Sequence, residues 1–341
     1  MMIAKRINFI DSLKGLAILF VVWGHSIQYL RDGSDFFHNP IIEFLYSFHL
    51  PLFFMISGFF FNSSIKLNFK EFLYKKSIQL LLPCLIWAIL FESIHLIQSD
   101  RIDWIQSIKT IVFPTMWPIW FLKELFLSYI LVYLSYKISS KKLIAFTMCL
   151  VFVLIAPKCN YQRFLLPMFL AGILLNDFYQ YFVNHLKFTL FLSGFVFLVC
   201  LLFWDGNFTI YETEFPEIIN IRTFSFDFAN IDISLFRLIT GLYGSIFWFL
   251  LFMKTYNNNT IYSLLSKIGI QTLSIYILQV IILENIVNRI LNFPAVNLWI
   301  YNLIITPFIT LLIIILCIGI SRIISKNKYL SIFLLGSSAK K

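Results

Sequence analysis

The sequence predicts an all-α membrane protein with about ten transmembrane helices and both termini in the cytoplasm. Three observations predict this class: 60% of the 341 residues are hydrophobic, only 13% are charged, and long apolar runs recur along the whole chain. Because lipid offers the backbone no hydrogen-bond partners, only helices or closed barrels can cross a bilayer, and these runs are too long for barrel strands. We therefore expect one transmembrane domain over residues 1–341, with the lipid bilayer as its solvent.

The spans are bounded by charged residues, Pro or Asn. They are expected at residues 12–31, 41–62, 73–96, 119–138, 142–157, 162–176, 187–204, 233–254, 268–288 and 298–325. The run that follows Lys5 and Arg6 contains Lys14 and His25 and has no small-residue cleavage site. We therefore expect a retained first helix and not a signal peptide.

The positive charge alternates between the two sides of these spans. Lys and Arg accumulate before the first span, within 66–76, within 137–142 and after the tenth span, and acids or aromatics dilute them elsewhere. Cytoplasmic loops are rich in Lys and Arg, so this pattern predicts an even number of spans with both termini inside. It also accounts for the net charge of +10 without a nucleic-acid partner.

Neither the cysteines nor the known short motifs indicate a metal or a nucleotide-binding loop. The five cysteines are scattered without C-x-x-C spacing, so we expect no disulfide framework and no thiolate metal site. The sequence contains no P-loop, dinucleotide fingerprint or zinc motif. The longest polar stretch, 205–232, is acidic and falls on the outer side, where it either caps a cavity or is a solvated loop.

Ionisable side chains inside the spans are costly and usually face a bundle interior or a wet cavity. His25 follows Lys14 by 11 residues, which corresponds to about 16 Å along a helix axis. His49, in the antiparallel second span, and Glu124, in the fourth, fall at a similar depth in the outer half. Pro51 can bend the second span beside them. This grouping of His25, His49 and Glu124 indicates a polar centre in the outer half of the membrane.

Two interpretations of His25 are open. A buried neutral imidazole can take a proton from a hydroxyl at neutral pH, which makes His25 a candidate general base with Glu124 as the nearest orienting carboxylate. Alternatively, His25 is a structural histidine that bonds across helices.

The lysines before the third span also have two interpretations. Lys66, Lys70, Lys75 and Lys76 can hold a polyanion such as a nucleotide phosphate, or they can reflect membrane topology alone. Asp11 is expected to be the N-cap of the first helix.

The stretch INFIDSLKGLAILFVVWGHS, followed by YSFHLPLFFMISGFFF, resembles the first two helices of the integral-membrane acyltransferase family 3. This family includes fucose 4-O-acetylase-like and polysaccharide O-acetyltransferase members, and its Arg/Lys-x10-His motif corresponds to Lys14 and His25. The resemblance extends to KKSIQLLLPCLIW, WPIWFLKELF and IGIQTLSIYILQ. Where many members carry a late histidine, this chain has Gln279, which can only form hydrogen bonds.

The resemblance implies a ten-helix O-acyltransferase in the bacterial cytoplasmic (inner) membrane. Such an enzyme transfers an acyl group, usually acetyl, from cytoplasmic acetyl-CoA to a sugar hydroxyl of an exopolysaccharide, an O-antigen or a lipid-linked glycan precursor at the outer face. His25 would act as general base or as acyl carrier. The expected catalytic residues are His25 and Glu124. The expected donor-binding residues are Lys14, Lys75 and Lys76, and the expected acceptor-binding residues are His49, Trp117 and Trp120.

Two other classes of function fit parts of the sequence. Intramembrane His and Glu residues and Pro51 also suit a transporter or flippase, although the paired halves typical of transporters are not visible in this sequence. A scaffold or sensor subunit would use the helices only for partner contacts. Arg163 and Arg237, near the outer face, either meet an acidic sugar or fix helix ends. The sequence predicts no particular oligomeric state.

Overall fold

A computed structural model describes residues 8–31, 36–98, 119–157, 159–216, 218–220, 223, 225–257, 259–293 and 296–336. Most of these residues are helical. The helices are α1 (Asn8–Tyr29), α2 (Pro40–Phe59), α3 (Phe69–Lys76), α4 (Leu82–Gln98), α5 (Trp120–Ile138), α6 (Lys142–Ile155), α7 (Asn160–Asp177), α8 (Tyr179–Asn184), α9 (Leu186–Leu202), α10 (Ile231–Thr255), α11 (Thr260–Ile270), α12 (Thr272–Val280), α13 (Asn288–Ile290), α14 (Leu298–Ile300), α15 (Thr306–Ile324) and α16 (Lys328–Leu335).

Asparagine side chains fix the start of five of these helices. Each accepts a hydrogen bond from a backbone N–H in the first turn of its helix: Asn39 in α2, Asn68 in α3, Asn259 in α11, Asn297 in α14 and Asn327 in α16. A short polar side chain at this position satisfies a donor that the helix itself leaves unpaired. The local sequence therefore favours these helix starts.

Among the described residues, six helical stretches are long and apolar enough to cross a membrane, judged by length and composition. They are Asn8–Tyr29, Pro40–Ser63, Phe69–Ser93, Ile231–Thr255, Thr272–Ile290 and Leu298–Ile324. The remaining predicted spans coincide with α5, α6, α7 and α9, which are shorter or more polar. The chain is thus a multi-pass membrane protein built from helices.

Three local expectations differ from the structure. The predicted third span is part of a longer stretch in which the π-helical turn Ser77–Leu81 joins α3 to α4. The predicted ninth span is interrupted at Gln271, between α11 and α12, and continues through a second π-helical turn, Ile281–Val287. Asp11 is not the N-cap of α1: it lies inside the first turn, and its Oδ1 is 3.6 Å from Lys14 Nζ.

Glycine pairs bring the central helices unusually close together. A Cβ atom on Gly15 of α1 would overlap the Leu265 carbonyl of α11, and one on Gly269 of α11 would overlap the Asp11 carbonyl. Gly58 of α2 and Gly172 of α7 form a second reciprocal pair of this kind. Small residues allow such approach between membrane helices. The helices that carry Lys14 and His49 are therefore held against fixed neighbours.

The periphery of the bundle is apolar. Large hydrophobic side chains are exposed on α6, α9 and α15, including Leu143, Phe191 and Ile315. In a bilayer, the hydrocarbon chains of the lipids would cover such surfaces. By contrast, most side chains of α1 and α2 are buried or partly buried inside the bundle. The polar residues of these two helices therefore face other helices or an internal space.

The polar stretch 205–232 contains a small two-stranded antiparallel ribbon. Strands β1 (Ile219–Asn220) and β2 (Ser225–Phe226) pair with Ile219 opposite Phe226. The part before the ribbon lies against the helices, and Tyr211 lines an internal cavity. This segment is therefore a docked cap over at least part of its described length.

Candidate active site

A cavity of about 680 Å³ lies among α1, α2, α5, α12 and the turn that joins α3 to α4. Lys14 Nζ lies 5.1 Å from the ring centre of Phe60, and a Cβ on Gly24 would lie 3.3 Å from the ring of Tyr46. These two contacts show that α1 and α2 run antiparallel. Lys14 and His25 line the cavity at two different levels, about 16 Å apart along α1.

The two ends of the cavity differ in composition. The lysine end is formed by Lys14, Lys75, Lys76 and Gln79. The tyrosine end is formed by Tyr29, Tyr46, Tyr211 and Glu284. His25 and His49 lie next to the tyrosine end, because their rings are 6.0 Å from Tyr29 and 4.8 Å from Tyr46, respectively.

The protonated nitrogen of His25 is defined by one neighbour. Gln279, 0% exposed, donates from Nε2 to the Tyr276 carbonyl over 3.3 Å, and its Oε1 lies 3.0 Å from His25 Nδ1. An amide oxygen only accepts, so Nδ1 of His25 is the donor and Nε2 holds the lone pair of the neutral imidazole. The arrangement makes His25 a base at Nε2 with a fixed tautomer.

His49 is positioned by its own helix. Its Nδ1 donates to the Leu45 carbonyl over 2.6 Å, and the side chain is buried, although it contributes to the cavity wall. The structure therefore brings His25 and His49 to one cavity at a similar level, as the antiparallel arrangement of the first two spans predicts.

The three cations of the lysine end lie in different environments. Lys76 is 7% exposed, and its Nζ lies 3.5 Å from the ring centre of Tyr129. Lys75 is exposed, whereas Lys14 is 28% exposed and pairs with Asp11. Ammonium groups that share one concave surface attract polyanions such as phosphates. This end therefore suits the charged part of a ligand.

Trp120 and Glu124 lie on one helix but have different surroundings. Trp120 lines the cavity and stacks on Tyr161, with 4.3 Å between ring centres. The Glu124 carboxylate instead accepts from Gln162 Nε2 at 2.8 Å and contacts Lys123 Nζ at 2.9 Å. Within the described part of the chain, Glu124 does not line the cavity.

Trp117 lies outside the described residues. The other seven predicted site residues are described, and six of them line one cavity: Lys14, His25, His49, Lys75, Lys76 and Trp120. Over the ranges that the structure describes, no group of three His, Cys, Asp or Glu side chains could hold a metal ion.

The sequence assigns no role to several residues of the site, among them Glu284, Gln279 and Tyr211. Glu284 could have been found, because it is an ionisable residue inside an apolar span, which is the criterion that identified His25. Gln279 stands out in the sequence only as a departure from a motif, whereas in the structure its side chain contacts the His25 ring. Tyr211 gives no sequence signal, because it comes from a long loop whose fold depends on tertiary contacts.

Comparison with known proteins identifies relatives of this chain. A family model described as an acyltransferase domain matches residues 7–322. Nodulation protein NolL of Mesorhizobium japonicum is 34% identical over 129 residues, which cover 36% of the chain and 34% of the relative. Nodulation protein NolL of Sinorhizobium fredii is 36% identical over 89 residues, which cover 25% of the chain and 24% of the relative. The chain thus aligns with about a third of the length of the first curated relative and about a quarter of the second. No solved structure shows significant similarity to it.

Proposed function

The chain belongs to the integral-membrane acyltransferase family 3, and from this membership we propose that it is a membrane-bound O-acetyltransferase. It moves an acetyl group from cytoplasmic acetyl-CoA to a sugar hydroxyl of an exopolysaccharide, an O-antigen or a lipid-linked glycan precursor at the outer face. One observation carries the proposal. A single cavity is lined by three lysines at one end and, about 16 Å away, by a histidine whose Nδ1 is fixed by an amide.

The lysine end binds the donor in this proposal. The phosphates of coenzyme A lie against Lys14, Lys75 and Lys76, where three positive charges compensate them. The cavity wall between the lysines and His25 is largely apolar and includes Phe53, Ile56 and Leu125. A long, narrow pantetheine arm suits this passage and brings the thioester to His25.

His25 performs the proton transfer. Its Nε2 removes the proton of the sugar hydroxyl as the hydroxyl oxygen attacks the thioester carbonyl carbon. The C–S bond then breaks, and the departing thiolate takes the proton from the imidazolium, so coenzyme A leaves as the thiol and His25 is neutral again. Transfer through an acetyl group held transiently on Nε2 uses the same lone pair. Gln279 supports either course by holding the Nδ1 proton.

The remaining predicted site residues keep proposed roles. His49 and Trp120 contact the acceptor from the cavity wall, and we assign the same role to Trp117. Glu124, through its contacts with Gln162 and Lys123, orients the helix that carries Trp120. Glu124 is thus proposed to support the position of Trp120, with little effect of its own on the catalytic step.

We also propose ten membrane spans in the bacterial inner membrane, with both termini cytoplasmic. The alternation of basic loops supports this topology, because it puts the lysine end inside and the tyrosine end outside. Acetyl-CoA then enters from the compartment that contains it. The acceptor meets the acetyl group without crossing the membrane.

The test is acetyl transfer by the purified full chain in lipid nanodiscs, with radiolabelled acetyl-CoA and a panel of methyl glycosides. Removal of a general base typically lowers the rate about 10²–10⁴-fold, so His25→Ala is expected to lose this factor in kcat. His185→Ala is the matched control, because His185 is exposed and stacks on Tyr181 away from the cavity. Wild-type transfer by a folded His25→Ala variant would refute the proposal.

A further inference from the structure

The tyrosine end contains an aromatic wall of the kind that binds flat, hydroxylated rings. The ring of Tyr211 lies 5.8 Å from that of Tyr46 and 6.2 Å from that of Trp120, which is nearly perpendicular to it at 82°. Tyr211 is 39% exposed and lines the cavity, and its ring also stacks on Phe37 at 5.8 Å between ring centres. Aromatic rings with a polar tip offer both an apolar face and a hydrogen-bonding group to a ligand.

The loop that carries Tyr211 is held in place by two buried arginines. Arg237 donates from Nε to the Phe208 carbonyl at 2.6 Å and from Nη2 to the Thr213 carbonyl at 2.8 Å. Arg163 donates from Nη1 to the Phe215 carbonyl at 3.2 Å. These bonds lie on both sides of Tyr211. The position of its ring is therefore built into the fold.

A carboxylate lies beside this wall. The Tyr29 hydroxyl interacts with the Glu284 carboxyl group, and the Tyr29 ring makes an edge contact with His25 at 6.0 Å. Glu284 belongs to the π-helical turn Ile281–Val287, and such turns often occur at functional sites. A carboxylate in an apolar span is costly unless it has a partner or a wet surface. Glu284 has both, because it pairs with Tyr29 and lines the cavity.

This end of the cavity carries one carboxyl group, that of Glu284, and no Lys or Arg among the described residues that line it. Among the described residues, the cations that line the cavity are Lys14, Lys75 and Lys76, all at the lysine end. Arg163 and Arg237, which could have met an acidic sugar, are 2% and 1% exposed and bind loop carbonyls instead. A ligand carboxylate at the tyrosine end would therefore face Glu284 without a compensating cation.

We propose that the tyrosine end is an acceptor subsite for an uncharged sugar ring. The ring packs against Tyr211, Tyr46 and Trp120, and Glu284 and Tyr29 orient its hydroxyls toward His25. This proposal rests on the proposed function for its place in the reaction. It can nevertheless be tested by binding alone.

The experiment uses pairs of ligands that differ only in one carboxylate. Methyl glucoside is compared with methyl glucuronide, and methyl galactoside with methyl galacturonide, on the full chain in nanodiscs. Binding is measured by saturation-transfer NMR, and the KM for each sugar by acetyl transfer. The neutral member of at least one pair is expected to bind at least tenfold more tightly than its acidic partner.

Two variants and two matched controls locate the binding. Tyr211→Leu is expected to weaken neutral-sugar binding at least tenfold without changing the KM for acetyl-CoA, whereas Tyr211→Phe retains binding. Glu284→Gln is expected to reduce the preference for the neutral sugar at least threefold. Glu212→Gln, an exposed acid in the same loop that is not part of the cavity wall, leaves the preference unchanged.

The outcomes separate this proposal from the proposed function. Neutral-sugar binding that depends on Tyr211, without acetyl transfer, supports the subsite and refutes the transferase. The opposite outcome is acetyl transfer in which Tyr211→Leu and Glu284→Gln change neither the acceptor KM nor the preference for the neutral sugar. That outcome supports the transferase and overturns the subsite. Equal or tighter binding of the acidic member in both pairs also overturns the subsite, as does failure to bind any neutral sugar.

Discussion

The lysine end and the tyrosine end of one cavity are built in different ways. The lysine end takes its charges from two regular helices, with Lys14 on α1 and Lys75 and Lys76 on α3. The tyrosine end combines α1, α2, a π-helical turn and a docked loop. A flexible polyanion can be attracted by loosely placed charges, whereas a rigid ring needs surfaces fixed relative to each other. This difference is consistent with the proposed roles of the two ends, a donor site at the lysine end and an acceptor site at the tyrosine end.

The largest effect at the lysine end is expected for Lys76→Met. Charge-assisted hydrogen bonds contribute about 1.5–3 kcal/mol, so losing the buried ammonium should raise the KM for acetyl-CoA about 10–100-fold. The acceptor KM should stay within about twofold, because Lys76 lies at the other end of the cavity. Kinetics with one substrate varied at a time measure both constants. An equal rise in the acceptor KM would contradict the assignment of donor binding and acceptor binding to different ends of the cavity.

Gln279→Leu, a substitution next to His25, should have the next largest effect, in this case on kcat. The substitution keeps the side-chain size but removes the acceptor of the His25 Nδ1 proton. Since one hydrogen bond contributes about 0.5–1.5 kcal/mol, kcat should fall about 3–10-fold with both KM values nearly unchanged. Gln279→Glu retains an acceptor and is the informative companion. A kcat equal to that of wild type in Gln279→Leu would show that Gln279 does not position His25.

Lys75→Met should have a smaller effect than Lys76→Met. Lys75 is exposed, and exposed ion pairs contribute about 0.2–1 kcal/mol, so the KM for acetyl-CoA should rise about twofold to fivefold. Added salt should reduce the difference between this variant and the wild type. An effect of Lys75→Met equal to that of Lys76→Met would show that burial does not strengthen donor binding here.

Glu124→Gln should have the smallest effect on kcat. Its carboxylate contacts Gln162 and Lys123, not the cavity, so we expect a change of about twofold or less. The thermal stability of the variant must be measured in parallel, because the side chain is buried. A loss of kcat beyond tenfold at unchanged stability would instead support a direct catalytic role.

The sequence predicts the lysine end better than the tyrosine end for a physical reason. The apolar run 142–157 closely matches α6 (Lys142–Ile155), and the spacing of Lys14 and His25 follows from one continuous helix. Antiparallel neighbours then bring His49 to the level of His25. These inferences need only helical periodicity and helix length.

The tyrosine end depends on contacts between distant segments. Arg163 and Arg237 bind carbonyls of the loop that brings Tyr211 to the cavity. The π-helical turn that carries Glu284 changes the register of the helix, and periodicity does not predict such a turn. Glu124 shows a limit of the depth argument. It lies at a depth similar to that of His25, yet its side chain does not line the cavity, because equal depth does not determine the direction in which a side chain points.

The most direct test of a cavity with two opposite ends is the sidedness of the reaction. Inverted inner-membrane vesicles present the cytoplasmic face outward and can enclose a membrane-impermeant neutral oligosaccharide. With radiolabelled acetyl-CoA added outside, a donor end in the cytoplasm and an acceptor end at the outer face predict acetylation of the enclosed sugar. His25→Ala vesicles should show none. Acetylation of the same sugar only when it is added outside, beside acetyl-CoA, would contradict the separation of donor and acceptor ends.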